Sequence, residues 1–275
     1  MPHPPRTPSP WTDLDRPPLS AARLRRALVD HGGWRRIDVL GSTGSTNADV
    51  AAAARNGEAA GLVVVAEEQR SGRGRLDRRW EAPPRSALLL SALLRPAAPP
   101  ATWTLLPFVV GVAVAEAVRA VGDVPATLKW PNDVLVGEAK IGGILAEAVD
   151  SAVVVGIGVN VSIRPDELPV GTATSLAIAG GATDREALAK EVLRALGRRY
   201  DDWTAAGGAA AAILPAYRAI CATIGRDVRV ELPTGGPAVG RAAEVDDVGR
   251  LVVVSPDGDR RAFSVGDVVH VRSER

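Results

Sequence analysis

The sequence predicts an α+β chain that ends in a small all-β domain. Over most of the 275 residues, apolar or alanine-rich segments of helical length alternate with short runs of β-branched residues and leucine. This pattern indicates helices and strands within one domain. From Ile224 onward the chain changes to short alternating strands separated by turns rich in Pro, Gly and Asp. We therefore expect a domain boundary at residues 223–225 and a small β-barrel after it.

The N-terminal arm, residues 1–18, is expected to be disordered or polyproline-like. Seven of its residues are prolines, and few of the others could build a core. A first helix is predicted over residues 19–29, with Ser20 as its N-cap and the pair Gly32-Gly33 as its stop.

The second predicted helix, residues 48–55, follows a short strand predicted at residues 37–40. Three polar residues stand immediately before the helix: Ser45, Thr46 and Asn47. Backbone N–H groups and hydroxyls face outward at such a helix start, so these residues could bind a ligand. Capping needs only one of them, and at this point capping alone and a ligand role are both open.

An arginine-rich loop, residues 69–80, follows an apolar run at residues 62–66 that predicts a buried strand. Between Gln69 and the closing Trp80 it holds two glycines and five arginines, namely Arg70, Gly72, Arg73, Gly74, Arg75, Arg78 and Arg79. Guanidinium groups bind phosphates and carboxylates, a Trp face stacks on flat rings, and glycine allows close backbone approach. The loop alone fits a ligand site, a loose nucleic-acid patch or a solvated basic turn.

A second informative stretch, residues 128–147, is predicted to form a β-hairpin around a turn at residues 137–139. Lys140 would begin the returning strand, and it is followed by two glycines, so its ammonium group could reach a phosphate or a carboxylate. Asn132 and Asp133 offer oxygen ligands of the kind that magnesium prefers. Taken singly, each of these residues also fits an ordinary turn or surface position.

A Gly-x-Gly pattern at Gly156 and Gly158 lies inside a strand predicted at residues 151–162. No helix opens after it, so it is not a dinucleotide fingerprint, and the glycines indicate close approach of a ligand to the sheet. Asn160 is then a candidate polar contact. The remaining predicted elements are a strand at 87–94, a helix at 103–121 that begins near Pro107, helices at 184–203 and 209–222 with a bend at Pro215, and strands at 227–232, 238–245, 251–255, 260–263 and 268–271.

Composition excludes several classes of function. The formal net charge is only +1, which argues against a general nucleic-acid binder. Cys221 is the only cysteine, so an internal disulfide or a cysteine metal cluster cannot form. No zinc site or catalytic triad is expected, because the three histidines are isolated: His3, His31 and His270.

The sequence also lacks a P-loop, an export signal and a membrane span of sufficient length. The apolar segment 105–115 is interpreted as a buried core helix, and a cytoplasmic protein is expected. The groups that remain suit the activation of a carboxylate by a nucleoside triphosphate. Arginine, lysine and Mg²⁺ would stabilise the charge on the pentacoordinate phosphorus and on the departing pyrophosphate.

The order and spacing of five motifs resemble those of the biotin–protein ligases, over about residues 34–272. The motifs are Gly44-Ser45-Thr46-Asn47, Gln69 with Gly72-Arg73-Gly74-Arg75 and Trp80, Lys129-Trp130-Pro131-Asn132-Asp133, the run from Lys140 to Glu147, and Gly156-Ile157-Gly158-Val159-Asn160. The sequence is most similar to the short ligases of actinobacteria. The resemblance implies a catalytic domain at residues 19–223, related to class II aminoacyl-tRNA synthetases with a mixed sheet and flanking helices, and an SH3-like domain at residues 224–275.

The activity that the resemblance implies has two steps and uses ATP and Mg²⁺. Biotin is first converted to biotinyl-5′-AMP with release of pyrophosphate. A lysine of a biotin carboxyl carrier protein, part of an acyl-CoA carboxylase, then attacks the acyl carbon, so the partner supplies the nucleophile. In the family the arginine-rich loop is mobile and folds over biotin and then over the adenylate.

The resemblance also implies a role for individual residues. Lys140, Arg73 and Arg75 would be catalytic. Biotin would be held by Ser45, Thr46, Asn47, Gln69, Arg73, Gly74, Arg75, Lys140, Gly143 and Gly158. The nucleotide would be bound by Arg75, Trp80, Asn132, Lys140 and Asn160, and the metal by Asp133 and Asn160.

Two departures from the family pattern matter. Many members have a glycine where this chain has Asp77, which could stiffen the loop. Only 44 residues precede Ser45, too few for the helix-turn-helix domain of two-function members, so no DNA partner and no repressor activity are expected. We also expect no membrane partner, and a monomer or weak homodimer.

Two alternative functions stay open at this point. A lipoate or octanoate ligase of the same superfamily is the nearest, although the arginine-rich form of the loop favours biotin. A nucleic-acid-binding regulator that uses this loop is the other, and the near-neutral net charge speaks against it.

Overall fold

The computed structural model describes residues 16–29, 33–76, 78–232, 236–264 and 266–271. The predicted arm therefore lies outside the described residues except for residues 16–18, and Gly32 and Asp77 also lie outside them.

Helices and strands alternate along the described chain up to residue 219. The helices are α1 (Ala21–Leu28), α2 (Thr46–Arg55), α3 (Leu106–Gly122), α4 (Arg185–Ala205) and α5 (Leu214–Ala219). The strands are β1 (Arg36–Leu40), β2 (Leu62–Ala66), β3 (Gly72–Arg73), β4 (Arg79–Trp80), β5 (Ala87–Leu94), β6 (Ala126–Lys129), β7 (Asp133–Val136), β8 (Ala139–Val149), β9 (Ala152–Asn160), β10 (Asp227–Glu231), β11 (Ala238–Val245), β12 (Leu251–Val254), β13 (Arg260–Phe263) and β14 (Asp267–His270).

A seven-stranded mixed sheet in the order β1-β2-β5-β9-β8-β7-β6 forms the larger unit. Strands β1 and β2 pair in parallel, and the other neighbours are antiparallel. Strands β2 and β5 are buried at every position, because helices cover both faces of the sheet. Alternate residues of β2 pack in two cores, with Val63 in the core that contains α3 and α4 and Val64 in the core that contains α2.

The predicted mixed sheet with flanking helices is confirmed, and most predicted elements are within two residues of the observed ones. Ser20 and Asp184 cap α1 and α4 as predicted. Residues 128–136 do not form one apolar strand, however. A turn that contains the cis peptide bond Trp130-Pro131 separates β6 from β7 there, and Pro131 has no N–H to donate to a sheet.

The helix predicted at residues 209–222 was also wrong in its length and shape. A 3₁₀ turn at Ala210–Ala212 precedes the short helix α5, which ends at Ala219. Pro215 lies in the first turn of α5 and does not bend a longer helix. A proline is tolerated there because the N–H groups of the first turn have no partner within the helix.

The C-terminal strands form a five-stranded antiparallel sheet in the order β13-β12-β11-β10-β14, which confirms the all-β C-terminal domain. It packs directly on the larger unit. The indole N–H of Trp130 donates to the Gly249 carbonyl at 3.0 Å, and the Trp130 backbone N–H donates to the Thr223 hydroxyl at 3.0 Å. We propose residues 19–223 and 224–275 as the limits of the two domains.

One helical stretch of the described residues, Pro100–Gly122, is long and apolar enough to cross a membrane by length and composition alone. It comprises a 3₁₀ turn followed by α3, and 72% of its most apolar window is buried inside the protein. It is the core helix that packs against α4 and the sheet.

Candidate active site

A pocket opens where the start of α2, the arginine-rich loop and strands β7, β8 and β9 meet. We call residues 69–80, which include the hairpin β3–β4, the flap. The structure brings most of the predicted site residues together around this pocket, which is lined by Ser45, Thr46, Asn47, Gln69, Arg73, Gly74, Arg75, Trp80, Asn132, Asp133, Lys140, Gly143 and Gly158. Asn160 is the predicted site residue that does not line it.

The start of α2 provides both capping and pocket-lining groups. Ser45 is the N-cap, and its hydroxyl accepts the Ala48 N–H at 3.5 Å. The backbone N–H and the hydroxyl of Thr46 both contact Gln69 Oε1, at 2.8 and 3.0 Å. Capping thus uses Ser45 alone, and Thr46 ties the helix start to the base of the flap.

Asn47 explains the first glycine of the Gly-x-Gly pattern. Its side chain extends over the sheet, so a Cβ at Gly156 would lie 2.1 Å from Asn47 Oδ1. Ser91 of β5, the register partner of Gly156, donates its hydroxyl to the same oxygen at 2.5 Å. Gly156 is therefore required by a protein side chain, and the amide of Asn47 becomes part of the pocket floor.

Trp80 explains the second glycine. A Cβ at Gly158 would lie 2.6 Å from the indole ring, and one at Gly143 would lie 3.2 Å from it. The ring therefore lies flat against two adjacent strands, β8 and β9. Its Nε1 atom is buried without a hydrogen-bond partner in the described part of the chain, so this donor is available to a ligand.

The flap is held by its own short hairpin. Gly72 pairs with Trp80, and a Cβ at Gly72 would lie 2.5 Å from the Trp80 carbonyl oxygen. This glycine therefore permits the hairpin itself to close. Arg78 at the other end of the hairpin donates to Asp267 of β14 at 2.5 Å, so the flap is attached to the C-terminal sheet.

Positive groups concentrate at one end of the pocket. Lys140 Nζ lies 2.5 Å from Asp133 Oδ1 and 5.7 Å from the centroid of the Trp80 ring. Arg75 donates to Asn132 Oδ1 at 3.1 Å. Burial lowers the pKa of Arg75, against the opposing effect of Asp133 and Asp267, so this guanidinium is partly desolvated. Such groups stabilise developing negative charge better than groups in open water do.

Asn160 lies in a second, larger cleft between the two sheets. Trp80, Asp133 and Lys140 line both spaces, which are therefore adjacent. The Asn160 side chain is buried, and its amide donates to the Thr174 carbonyl at 2.9 Å. Within the described ranges no group of three or more His, Cys, Asp or Glu side chains could hold a metal.

The sequence reasoning missed three polar residues of this region. Ser91 interrupts an otherwise apolar strand, which was the available signal. Glu147 lies inside a quoted motif but was given no role, and it accepts from Asn47 at 2.6 Å. Asp267 lies 189 residues from its partner Arg78, and no pattern in the sequence connects the two.

Comparison with known proteins gives consistent matches along the chain. Residues 43–163 match the biotin/lipoate A/B protein ligase family, and residues 223–271 match the biotin protein ligase C-terminal domain. The biotin–[acetyl-CoA-carboxylase] ligase of Mycobacterium tuberculosis is 43% identical over 269 residues, which are 95% of this chain and 100% of that protein. The bifunctional ligase/repressor BirA of Bacillus subtilis is 31% identical, over 82% of this chain and 71% of its own length.

A solved structure agrees with these matches. The biotin protein ligase from Aquifex aeolicus, in complex with biotin and ATP, superposes with a TM-score of 0.73 and 27% sequence identity. The superposition covers 87% of this chain and 100% of that protein.

Proposed function

This chain belongs to the biotin protein ligase family, and we propose that it uses ATP and Mg²⁺ to join biotin to a lysine of a biotin carboxyl carrier protein. The observation that carries this proposal is the position of Lys140. Its ammonium group lies at the junction of the two clefts, beside Asp133 and against Trp80. A carboxylate in the first cleft and a phosphate in the second would both meet this charge.

In the first step a carboxylate oxygen of biotin attacks the α-phosphorus of ATP, and pyrophosphate leaves. Lys140, Arg73 and Arg75 are the catalytic cations, because all three line the pocket, where negative charge would develop on the phosphoryl oxygens. Arg73 covers the biotin from the flap, and Asn132 contacts the nucleotide phosphates. Trp80 packs against the adenylate, and its indole N–H, which has no partner among the described residues, is the donor.

In the second step the acceptor lysine, as the neutral amine, attacks the acyl carbon of biotinyl-5′-AMP. The amide bond forms, AMP leaves, and the amine loses a proton. The chain supplies no covalent nucleophile. Its role is to hold the mixed anhydride away from water under the flap until the acceptor arrives.

The residues present fit a magnesium ion. Magnesium is usually held by one or two carboxylates together with substrate phosphates and water, and Asp133 is a carboxylate that lines both clefts. Asp133 of β7 would hold the ion, and Asn160 of β9 would be a further oxygen ligand. Strand β8 lies between these two strands. When bound, the ion neutralises phosphate charge.

The polar floor favours biotin over lipoate. Three side chains with hydrogen-bonding groups line it, namely Thr46, Asn47 and Gln69, and the buried Ser91 hydroxyl bonds to Asn47 from behind. The cyclic urea of biotin offers two N–H groups and a carbonyl to such a floor, whereas a dithiolane ring offers no comparable group. A site built to hydrogen-bond its substrate discriminates strongly against an analogue that lacks the polar groups.

The finer features of the proposal concern partners and location. The acceptor is the carrier protein or domain of an acetyl-CoA carboxylase or a related acyl-CoA carboxylase. The ligase acts in the cytoplasm as a monomer or weak homodimer, with neither DNA nor a membrane as partner. The formal net charge of +1 supports the absence of DNA binding.

The test is incubation of the protein with ATP, Mg²⁺ and a biotin-acceptor domain, with biotin or lipoate supplied in turn. We expect a mass gain of one biotinyl group on the acceptor lysine with biotin and none with lipoate. An acceptor domain whose lysine is replaced by arginine is the control and gains no mass. Modification by lipoate alone would replace the proposal with the lipoate ligase alternative.

A further inference from the structure

Glu147 of β8 contacts both Asn47 in the pocket floor and Arg73 of the flap. One carboxylate oxygen accepts from the Asn47 amide at 2.6 Å, and the other lies 3.5 Å from Arg73 Nη2. The Glu147 side chain is 31% exposed, and it reaches the pocket through Asn47 and Arg73, which line it. The residues that it joins belong to two different elements of the pocket, since Asn47 lies on α2 and Arg73 on the flap.

The orientation of the Asn47 amide follows from its neighbours. Its Nδ2 faces two acceptors, Glu147 Oε2 and the Leu145 carbonyl, at 2.6 and 3.3 Å. Its Oδ1 therefore points toward the Ser91 hydroxyl, 2.5 Å away. Because Oδ1 can only accept, the Ser91 hydroxyl must donate its single proton to Asn47.

The Ser91 oxygen can then only accept from the Thr46 hydroxyl, 2.7 Å away, whose single proton also faces Gln69 Oε1 at 3.0 Å. The hydrogen bonds from Ser91 through Asn47 to the carboxylate of Glu147 therefore run in one direction, and the Thr46 hydroxyl, which is shared with Gln69, stands at their start. Thr46, Asn47 and Ser91 are all buried. The Glu147 carboxylate fixes the orientation of these buried hydrogen bonds, because a hydrogen bond to a carboxylate is stronger than one between neutral groups.

We propose that Glu147, with Ser91 behind Asn47, is a positioning residue that couples the flap to the floor of the biotin pocket. One oxygen of its carboxylate fixes the Asn47 amide, and the other attracts Arg73 over the ligand. The inference rests on the proposed function, because it assigns these contacts to the binding of biotin. It adds Glu147 and Ser91 to the residues that determine biotin affinity, although neither has to touch biotin.

The test compares variants that separate the two contacts of Glu147. Glu147→Gln keeps an oxygen that can accept from Asn47 in a weaker, neutral hydrogen bond, and it removes the charge that attracts Arg73, so the salt-dependent part of its effect reports on Arg73. Ser91→Ala removes the donor to Asn47 and leaves the ion pair intact. The matched controls are Glu116→Gln, which breaks a partly exposed ion pair with Arg199 on the distant helices α3 and α4, and Ser175→Ala, which removes a buried serine hydroxyl outside the pocket.

Biotin affinity is measured by calorimetric titration of the full chain in 0.1 M and in 1 M NaCl, together with ATP affinity and the unfolding temperature. We expect Glu147→Gln to weaken biotin binding by roughly tenfold in low salt and much less in 1 M NaCl, where the Debye length is only about 3 Å. Ser91→Ala should weaken biotin binding by a similar factor at both salt concentrations. Neither variant should change ATP affinity, and both controls should bind biotin as the wild type does.

Wild-type biotin affinity in Glu147→Gln would overturn the role of Glu147, and a loss that is equal at both salt concentrations would overturn its coupling to Arg73. Wild-type affinity in Ser91→Ala would overturn the hydrogen-bond chain. A wild-type protein that binds no biotin would refute the proposed function, and the present inference would fall with it. A wild-type protein that binds and transfers biotin leaves the variants to decide this inference alone.

Discussion

The guanidinium of Arg78 on the flap donates to the carboxylate of Asp267 in β14 at 2.5 Å. The two residues are 189 positions apart, with Arg78 in the turn of the flap hairpin and Asp267 in the C-terminal sheet. Asp267 and the adjacent Gly266 also line the pocket beneath the flap. The C-terminal sheet therefore forms part of the wall of the active site. It also anchors the turn of the flap hairpin through Arg78.

Removing this ion pair should loosen the flap without unfolding the protein. Asp267→Asn is expected to raise the KM for ATP and the dissociation rate of biotinyl-5′-AMP by roughly two- to fivefold, because exposed ion pairs contribute up to about 1 kcal/mol. Both are measured by steady-state kinetics and by a chase of bound intermediate. Glu244→Gln, which breaks an exposed pair with Arg260 inside the same sheet, is the control. Equal kinetics in Asp267→Asn and Glu244→Gln would show that the Arg78 contact does not restrain the flap.

Lys140→Ala should remove most adenylate formation. Its ammonium group is the cation at the junction of the two clefts, and removal of one such charge-stabilising group typically costs about 100- to 1,000-fold in rate. Pyrophosphate release with biotin and ATP measures this step directly. Lys190→Ala, which removes a partly exposed cation of α4 that lines neither cleft, should leave the rate unchanged. Near-normal pyrophosphate release by Lys140→Ala would refute the catalytic role of this lysine.

Gly158→Ala should displace Trp80 from the sheet. The added methyl group would lie 2.6 Å from the indole ring, and a clash of this kind costs about 1–3 kcal/mol if the ring stays in place. We expect kcat/KM for ATP to fall by about five- to 150-fold. Gly197→Ala is the control, since its methyl group meets nothing within 4 Å and it lies inside α4. That variant should be as active as the wild type and slightly more stable. Full activity of Gly158→Ala would show that the ring need not lie there.

The contacts of Glu186 predict that the free energy of unfolding decreases in acid. A side-chain hydrogen bond from Arg23, with weaker help from Lys190 and the Ser20 N–H, lowers the pKa of Glu186 from 4.5 to about 2. Because the folded pKa lies below the unfolded one, the stabilisation is fully present above pH 4.5 and is lost as the pH falls toward 2. Glu186→Gln should therefore lower the free energy of unfolding at neutral pH, and its difference from the wild type should shrink between pH 4.5 and pH 2.

Denaturant titrations at several pH values measure this difference. Glu191→Gln, on the same helix, breaks only an exposed contact with Arg198 at 3.3 Å and serves as the control. A difference between Glu186→Gln and the wild type that stays constant down to pH 2 would contradict the assignment.

The main sheet was predictable because several of its strands can be recognised from a short stretch of sequence alone. The apolar runs that became β2 and β5 need no knowledge of their partners. The break between β6 and β7 was not predicted, because the turn between them is anchored by Trp130, whose indole N–H bonds to Gly249, 119 residues further along the chain. The shortened helix α5 was not predicted either, since Pro215 begins a helix there.

The residues of the site likewise fall into those that the sequence indicates and those that it does not. Residues in contiguous polar or basic motifs, such as Ser45 and Arg73, attract notice by their spacing alone. Glu147 meets Asn47 across 100 residues of chain, and Ser91 meets it across 44. Such contacts depend on the order of strands in the sheet and on the register of β5, β8 and β9, which one sequence does not specify.

In the proposed reaction the flap holds biotinyl-5′-AMP, which is not covalently attached to the protein, until an acceptor lysine arrives. The most direct measurement is a single turnover: the protein is incubated with ATP, Mg²⁺ and biotin, freed of small molecules by rapid gel filtration, and then mixed with the acceptor domain without ATP. We predict that biotin and AMP elute with the protein, and that the acceptor gains one biotinyl group as an equal amount of AMP is released. Transfer that requires fresh ATP, or biotin found covalently attached to the ligase itself, would contradict the claim.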